Sequence, residues 1–169
     1  MIRYRPARAE DADALAACAR AAFTETFGTL YSAGDLATFL DEAFGPAGLP
    51  AQIGRPGWHI QVALDGDRIA GFAKLGPVAF PGEWSANAIE LHQLYVRQPW
   101  LGAGIGPALM DWALAHATAH GASEMLLSVF VDNHRAKRFY ARYGFQDVGR
   151  YDFAVGDTID EDRIMRLAL

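Results

Sequence analysis

Cysteine occurs once in 169 residues, at position 18. A single thiol excludes an intrachain disulfide framework and fits a reducing compartment. Cations are also scarce: 15 Lys and Arg stand against 20 Asp and Glu, a formal net charge of -5 with neutral histidines. Binding to a nucleic-acid backbone draws its affinity from clustered cations, so this balance argues against a nucleic-acid partner. Long hydrophobic runs are missing. The longest, around Met125 to Val131, is interrupted by Ser128 and falls far short of the ~20 residues that span a bilayer. Met1 to Pro6 carries charges but no apolar core of signal-peptide length. The expectation is a cytoplasmic chain with no membrane partner.

What is present points to a packed globular unit. Hydrophobic residues make up 51% and charged residues 21%, which excludes a disordered chain. The length predicts one domain over 1–169. A chain of this size buries roughly 70% of its unfolded surface and needs no metal to fold. Glycine is in excess, with 17 residues, against an ordinary share of about 7%.

Periodicity supplies the elements. Residues 2–5 read as a strand stopped by Pro6. Asp11 is placed to cap a helix running to about Phe27, and a second helix covers about 34–44, ended by Gly45 and Pro46. Residues 47–57 read as loop or a short turn of helix. From Trp58 the period becomes two: Trp58, Ile60, Val62 and Leu64 alternate with His59, Gln61 and Ala63, as in a half-buried strand. Asp65-Gly66-Asp67 reads as a hairpin turn into a strand over 68–76. Residues 77–88, with Pro77, Pro81 and Gly82, form a loop before a strand at about 89–96. A helix to about His120, a buried strand over 124–130, a helix from an Asn133 cap to about Tyr143, and strands at about 145–154 and 162–168 complete the chain. The order β-αα-β-β-β-α-β-α-β-β predicts an α/β fold whose sheet has mixed direction, with parallel strands in the crossover over 89–130.

The sharpest local pattern is Leu101-Gly102-Ala103-Gly104-Ile105-Gly106-Pro107, directly after a strand and opening a helix. A helix start carries unpaired N–H groups and the positive dipole end, and glycines let an anionic diphosphate approach them. Pro107 fits the first turn, where a missing N–H does no harm. The pattern lacks the Gly-Lys-Ser/Thr ending of a P-loop, and its glycine spacing is not that of the dinucleotide fingerprint. Two readings remain, a pyrophosphate cradle and a plain tight turn from strand to helix.

Further segments narrow the choice. Gln93-Leu94-Tyr95-Val96, then Trp100-Leu101-Gly102-Ala103-Gly104-Ile105-Gly106, then Asn133-His134-Arg135-Ala136 and Phe139-Tyr140-Ala141-Arg142-Tyr143-Gly144-Phe145 together resemble the GNAT N-acetyltransferase superfamily in motif order and spacing. The resemblance spans about 89–148, and the predicted elements fit that fold over the whole chain. It departs at Leu101, where the superfamily usually has Arg or Gln.

The resemblance implies a mixed, mainly antiparallel sheet with helices on both faces and a V-shaped splay between strands 4 and 5 that holds acetyl-CoA. It implies that the backbone of Leu94, Tyr95 and Val96 runs along the pantetheine arm. Leu101 loses the usual side-chain contribution. The resemblance further implies that the loop from Gly102 through Ala103, Gly104, Ile105, Gly106 and Pro107 takes the pyrophosphate, that Asn133 contacts the arm, and that a backbone N–H, that of Leu94, polarises the acetyl carbonyl. Tyr140 matches the superfamily tyrosine that protonates the departing thiolate, with a packing tyrosine as the other reading.

Acetyl transfer requires a neutral amine, and an amine of pKa ~10.4 loses its proton at a cost of about 4–5 kcal/mol at pH 7. A base is therefore useful. Glu90 and His92 stand two apart on the fourth strand and so share a face. They are candidates for the proton exit, with Glu90 the base; the other reading is a solvated or structural pair.

The acceptor side of such a fold is lined by the first helices, the 77–88 loop and the last hairpin. The Thr-Glu-Thr-Phe segment ending at Phe27, the Asp41-Glu42-Ala43-Phe44 helix end and the Phe153 to Asp157 tail resemble bacterial spermidine/spermine acetyltransferases more loosely. Glu25, Asp41, Asp152 and Asp157 are the acids available to attract a polycation. Trp84 is the tryptophan expected near the acceptor. The expected activity is acetyl transfer from acetyl-CoA, a cosubstrate, to the primary amine of a small molecule. A peptide amine or a non-catalytic CoA-binding module are the alternatives. The superfamily often dimerises, which keeps a homodimer open. His116 and His120 stand at metal-binding spacing, but Ala117 replaces the acid of the zinc-protease motif, so no metal is expected. Cys18 is read as core, and His59 and His134 as exposed.

Overall fold

The computed structural model describes residues 1–169. Its elements are β1 (Ile2–Pro6), α1 (Ala12–Phe27), α2 (Ala33–Phe44), α3 (Leu49–Gln52), β2 (His59–Asp65), β3 (Arg68–Gly76), β4 (Ala88–Val96), α4 (Ile105–Ala119), β5 (Glu124–Phe130), α5 (His134–Arg142), β6 (Gln146–Val155) and β7 (Thr158–Ala168). The seven strands form one sheet in the order β1-β2-β3-β4-β5-β7-β6. Every neighbouring pair is antiparallel except β4 and β5, which are parallel.

The sheet is covered on both faces. Leu15, Cys18, Ala19 and Phe23 of α1 pack with Phe44, Leu49, Ile60, Val62 and Leu64. Ile105, Leu109, Met110 and Ala113 of α4 pack with Ala63, Leu75, Leu91 and Met125. This sandwich corrects the half-buried reading of β2. Ile60 through Leu64 are all buried, because odd and even positions each meet a helical layer.

Two other boundaries differ from expectation. Asp11 does not cap α1 with its side chain. Its carboxylate instead accepts two bonds from Arg5, at 2.7 and 2.9 Å, and one from the Arg8 N–H. A bidentate guanidinium outcompetes a neutral cap. β7 begins at Thr158, earlier than expected, because Gly156 and Asp157 make a two-residue turn and Val155 pairs directly with Thr158. Gly156 supplies the positive φ of 58° that this turn needs. Asn133 caps α5 as expected, accepting from the Ala136 N–H at 3.2 Å.

The feature that positions the site is incomplete strand pairing. β4 meets β5 only at Ala88–Glu90 against Glu124–Leu126. From Leu91 to Val96 that edge of β4 is unpaired, and the two strands splay into the V that the resemblance implies. On the other edge, Lys74 pairs with Gln93 and Leu75 with Leu91, so His92 is the extra residue of a bulge. Bulges re-aim side chains and backbone groups, often beside active sites.

Candidate active site

The splay opens into one cleft of about 670 Å³. Of the residues singled out in the sequence, His92, Leu94, Tyr95, Val96, Leu101, Gly102, Gly104, Ile105, Gly106, Pro107, Asn133 and Tyr140 line it. Glu90 lies directly behind His92. Ala103 does not reach the lining, and its N–H donates to the Trp100 carbonyl.

At the α4 end, the N–H groups of Gly102, Gly104, Ile105 and Gly106 have no backbone acceptor, whereas that of Leu101 bonds the Gln98 carbonyl. Gly102 and Gly104 have φ of 83° and 79°, and a Cβ at either would meet no atom within 4 Å. Glycine here serves conformation and leaves open space outside the backbone. The Ile105 side chain is core, so it presents only its N–H. Leu101 is exposed at the rim. Arg135, Arg138 and Arg142 of α5 border the same cleft. The sequence reading passed over these three. Their spacing on an amphipathic helix was the available sign.

Glu90 is 6% exposed and Lys74 only 4%. Burial pushes the Glu90 carboxyl up to about 7, against the opposing pull of the Ala79 N–H and the Lys74 ammonium. Burial takes Lys74 down to about 8. Burial, then Lys74, takes His92 down to about 4. His92 Nε2 stands 3.5 Å from Glu90 Oε2, a contact between a neutral imidazole and a carboxyl rather than an ion pair. Nε2 is also 2.8 Å from the Pro77 carbonyl, which can only accept. Nε2 therefore carries the proton, and Nδ1 keeps its lone pair. Lys74 donates to Gln52 Oε1 at 2.7 Å and lies over the Trp58 ring. Sequence reasoning missed Lys74. A lone cation between Ala73 and Leu75 in a buried strand was its only sign.

Tyr140 is fixed by edge contacts with Phe139 and Phe145. Burial raises the pKa of both Tyr140 and Tyr95, and each phenol stays protonated at neutral pH.

The acceptor side needs correction. Glu25 bonds Arg97 and the Gln98 N–H, each at 2.9 Å. Asp41 pairs with Arg20 and Asp152 with Arg150. None of these, nor Asp157, lines the cleft. Nor does the 77–88 loop: Phe80 buries itself against Leu126 and Ile164, and Trp84 packs on that cluster. Phe23, Thr26, Phe27, Tyr31 and Phe153 do line it, as expected, but the acid among them is Asp162. His59 is not an exposed strand residue. Its ring lies 4.3 Å from that of His116 and 5.2 Å from that of His120. Cys18 is core, and burial pushes its thiol up to about 12, far from a nucleophile's range.

No helix of the chain is long and apolar enough to cross a membrane. Comparison with known proteins gives a consistent result. Residues 14–145 match the model of the acetyltransferase (GNAT) family. An N-acetyltransferase of Lactobacillus delbrueckii subsp. lactis, named for its place in the pepI 3' region, is 30% identical over 90% of this chain and 89% of its own. The spermine/spermidine N(1)-acetyltransferase of Bacillus subtilis is 31% identical over 53% of this chain and 59% of its own. Among solved structures, the PaiA N-acetyltransferase of Thermoplasma acidophilum, in complex with coenzyme A, superposes with a TM-score of 0.81 at 24% identity, covering 100% of this chain and 99% of that one. The chain belongs to the acetyltransferase (GNAT) family and is an acetyl-CoA-dependent N-acetyltransferase.

Proposed function

We propose that residues 1–169 form one catalytic unit that transfers acetyl directly from acetyl-CoA to the primary amine of a small molecule. The observation that carries this reading is the polarity of the cleft. One end offers four free N–H groups and three arginines, and the other is an aromatic chamber whose acid is Asp162. Anionic CoA suits the first end and a cationic amine the second. An aromatic chamber favours a small acceptor over a peptide, which needs an open groove. Coenzyme A bound to the structurally similar Thermoplasma protein supports the cosubstrate assignment.

In this reading the diphosphate sits on the N–H groups of Gly102, Gly104, Ile105 and Gly106. The arm runs along the unpaired edge at Leu94, Tyr95 and Val96, with the Asn133 amide beside it. The Leu94 N–H holds the carbonyl oxygen as negative charge develops, a contribution of a few kcal/mol in such sites. His92 Nδ1 takes a proton from the ammonium, and Nε2 passes one to Glu90. The amine nitrogen then attacks the thioester carbon, the C–S bond breaks, Tyr140 gives its proton to the departing thiolate, and the proton left on the new amide nitrogen passes through solvent to the Tyr140 oxygen. Cys18 takes no part.

Thiol release from acetyl-CoA, measured across diamines, amino acids, aminoglycosides and peptides, tests the proposal. Turnover of small amines is expected. Turnover of peptides alone would overturn the acceptor assignment, and coenzyme A binding with no turnover of any amine would point to a binding module.

A further inference from the structure

Asp162 is 6% exposed, lines the cleft and has no cation of its own. The neighbouring arginines are engaged elsewhere: Arg150 with Asp152 and Glu161, Arg163 with Asp147 and Glu161, and Arg166 with Glu124. A carboxylate so buried and uncompensated is costly to keep charged. Burial accordingly pushes it up to about 6, with Asp160 adding to the shift and the Ser128 hydroxyl opposing it. Asp160 stands two residues away on the same strand face and accepts the Tyr31 hydroxyl. A second polar group in the same cleft is unsatisfied. Gln93 lines it, and its Oε1 is buried with no donor.

The rings of Phe27, Tyr31, Phe130 and Phe153 surround this end of the cleft. Aromatic faces attract ammonium groups and accommodate methylene chains. The register fixes how far this end lies from the base. Glu90 pairs with Leu126 and Asp162 with Phe130, four residues further along β5, or ~13 Å at strand rise. One acid therefore stands at the closed end of the splay and one at the open end.

We propose that Asp162 binds a second, non-reacting ammonium of the acceptor, so that the substrate is a linear diamine or longer polyamine with one nitrogen at His92 and another at Asp162. This rests on the acetyl-transfer reading above and assigns the specificity of the same site. The methylene chain crosses the aromatic chamber, and the Gln93 carbonyl accepts an N–H along the way. An anionic acceptor is repelled by Asp160 and Asp162, and a monoamine leaves Asp162 uncompensated.

The test compares 1,6-diaminohexane with 1-aminohexane in thiol release from acetyl-CoA, for the wild-type protein and for Asp162→Asn. The expected result is a kcat/KM at least about tenfold higher for the diamine in the wild type, with that preference abolished in Asp162→Asn through a raised KM. Coenzyme A binding by calorimetry shows that the variant is folded, and Asp162→Glu is expected to recover part of the preference. Equal rates for the two amines, or a preference that survives in Asp162→Asn, would overturn the proposal. Should no amine turn over, calorimetric binding of the same two amines reads the contrast without chemistry. Diamine-selective binding lost in Asp162→Asn upholds the site while the catalytic reading fails, and equal binding sinks the site itself.

Discussion

His92 Nε2 lies 3.5 Å from Glu90 Oε2 and 2.8 Å from the Pro77 carbonyl. The bulge that makes His92 an extra residue in the β3–β4 ladder turns it toward the cleft while Glu90 stays behind it. The pair therefore has an outer and an inner member with different acidities. Burial raises Glu90 to about 7 and lowers His92 to about 4.

That difference makes the base identifiable. With Glu90 as the group that must be ionised, kcat/KM rises with pH and levels off above about 7. With His92 setting the limb, the plateau is reached near 4. We expect the limb near 7, its loss in Glu90→Gln with a rate at least about tenfold lower, and its movement to higher pH in Lys74→Met, because the ammonium no longer favours the carboxylate. An unchanged acid limb in Glu90→Gln rules out this assignment.

Tyr140→Phe removes the proton that the proposed mechanism gives to the thiolate but keeps the ring contacts with Phe139 and Phe145. General-acid contributions run to about 100-fold or more, so kcat should fall by about that factor with coenzyme A affinity retained. Full turnover in the variant would make Tyr140 a packing residue.

Gly104 holds φ of 79° at the start of α4, with open space where a Cβ would be. Gly104→Ala forces an L residue into the left-handed region, at about 1–2 kcal/mol. Urea unfolding should register that loss. The KM for acetyl-CoA should rise as well, because the methyl group projects into the space assigned to the diphosphate. A loss of stability with an unchanged KM would remove the phosphate role from this position.

His116 packs against His59 and His120, and burial first, then those two rings, takes it from 6.5 down to about 4. Above pH 6.5 it is neutral whether folded or unfolded. Between 6.5 and 4 the unfolded chain takes up a proton that the folded chain refuses, so stability falls as the pH drops through that window. The urea midpoint should decline over that range, and His116→Gln should flatten the decline. An identical slope in the variant would show that His116 carries none of it.

Local elements were readable because their causes are local. Asn133 at the head of a helical run is enough to write a helix cap. Glycines before a helical run are enough to place a tight turn and free N–H groups. Asp11 failed as a cap because its partner, Arg5, sits on another element. Trp84 and the 77–88 loop failed for a similar reason: Phe80 is buried against Leu126 and Ile164, on other elements, and Trp84 packs with it.

The amino-acid sequence alone determined the order of strands and helices, the family, and the free N–H groups at the start of α4, since each depends on spacing within a few residues of chain. Which acids line the cleft was decided only by the tertiary structure. Glu25, Asp41 and Asp152 look as available as Asp162 in the sequence, yet Arg97, Arg20 and Arg150 claim the first three. Asp162 is left alone because the sheet register places it opposite Phe130, on the aromatic side of the splay. The acidity of Glu90 was likewise decided by packing, because desolvation is set by everything that surrounds a group and not by its neighbours in the chain.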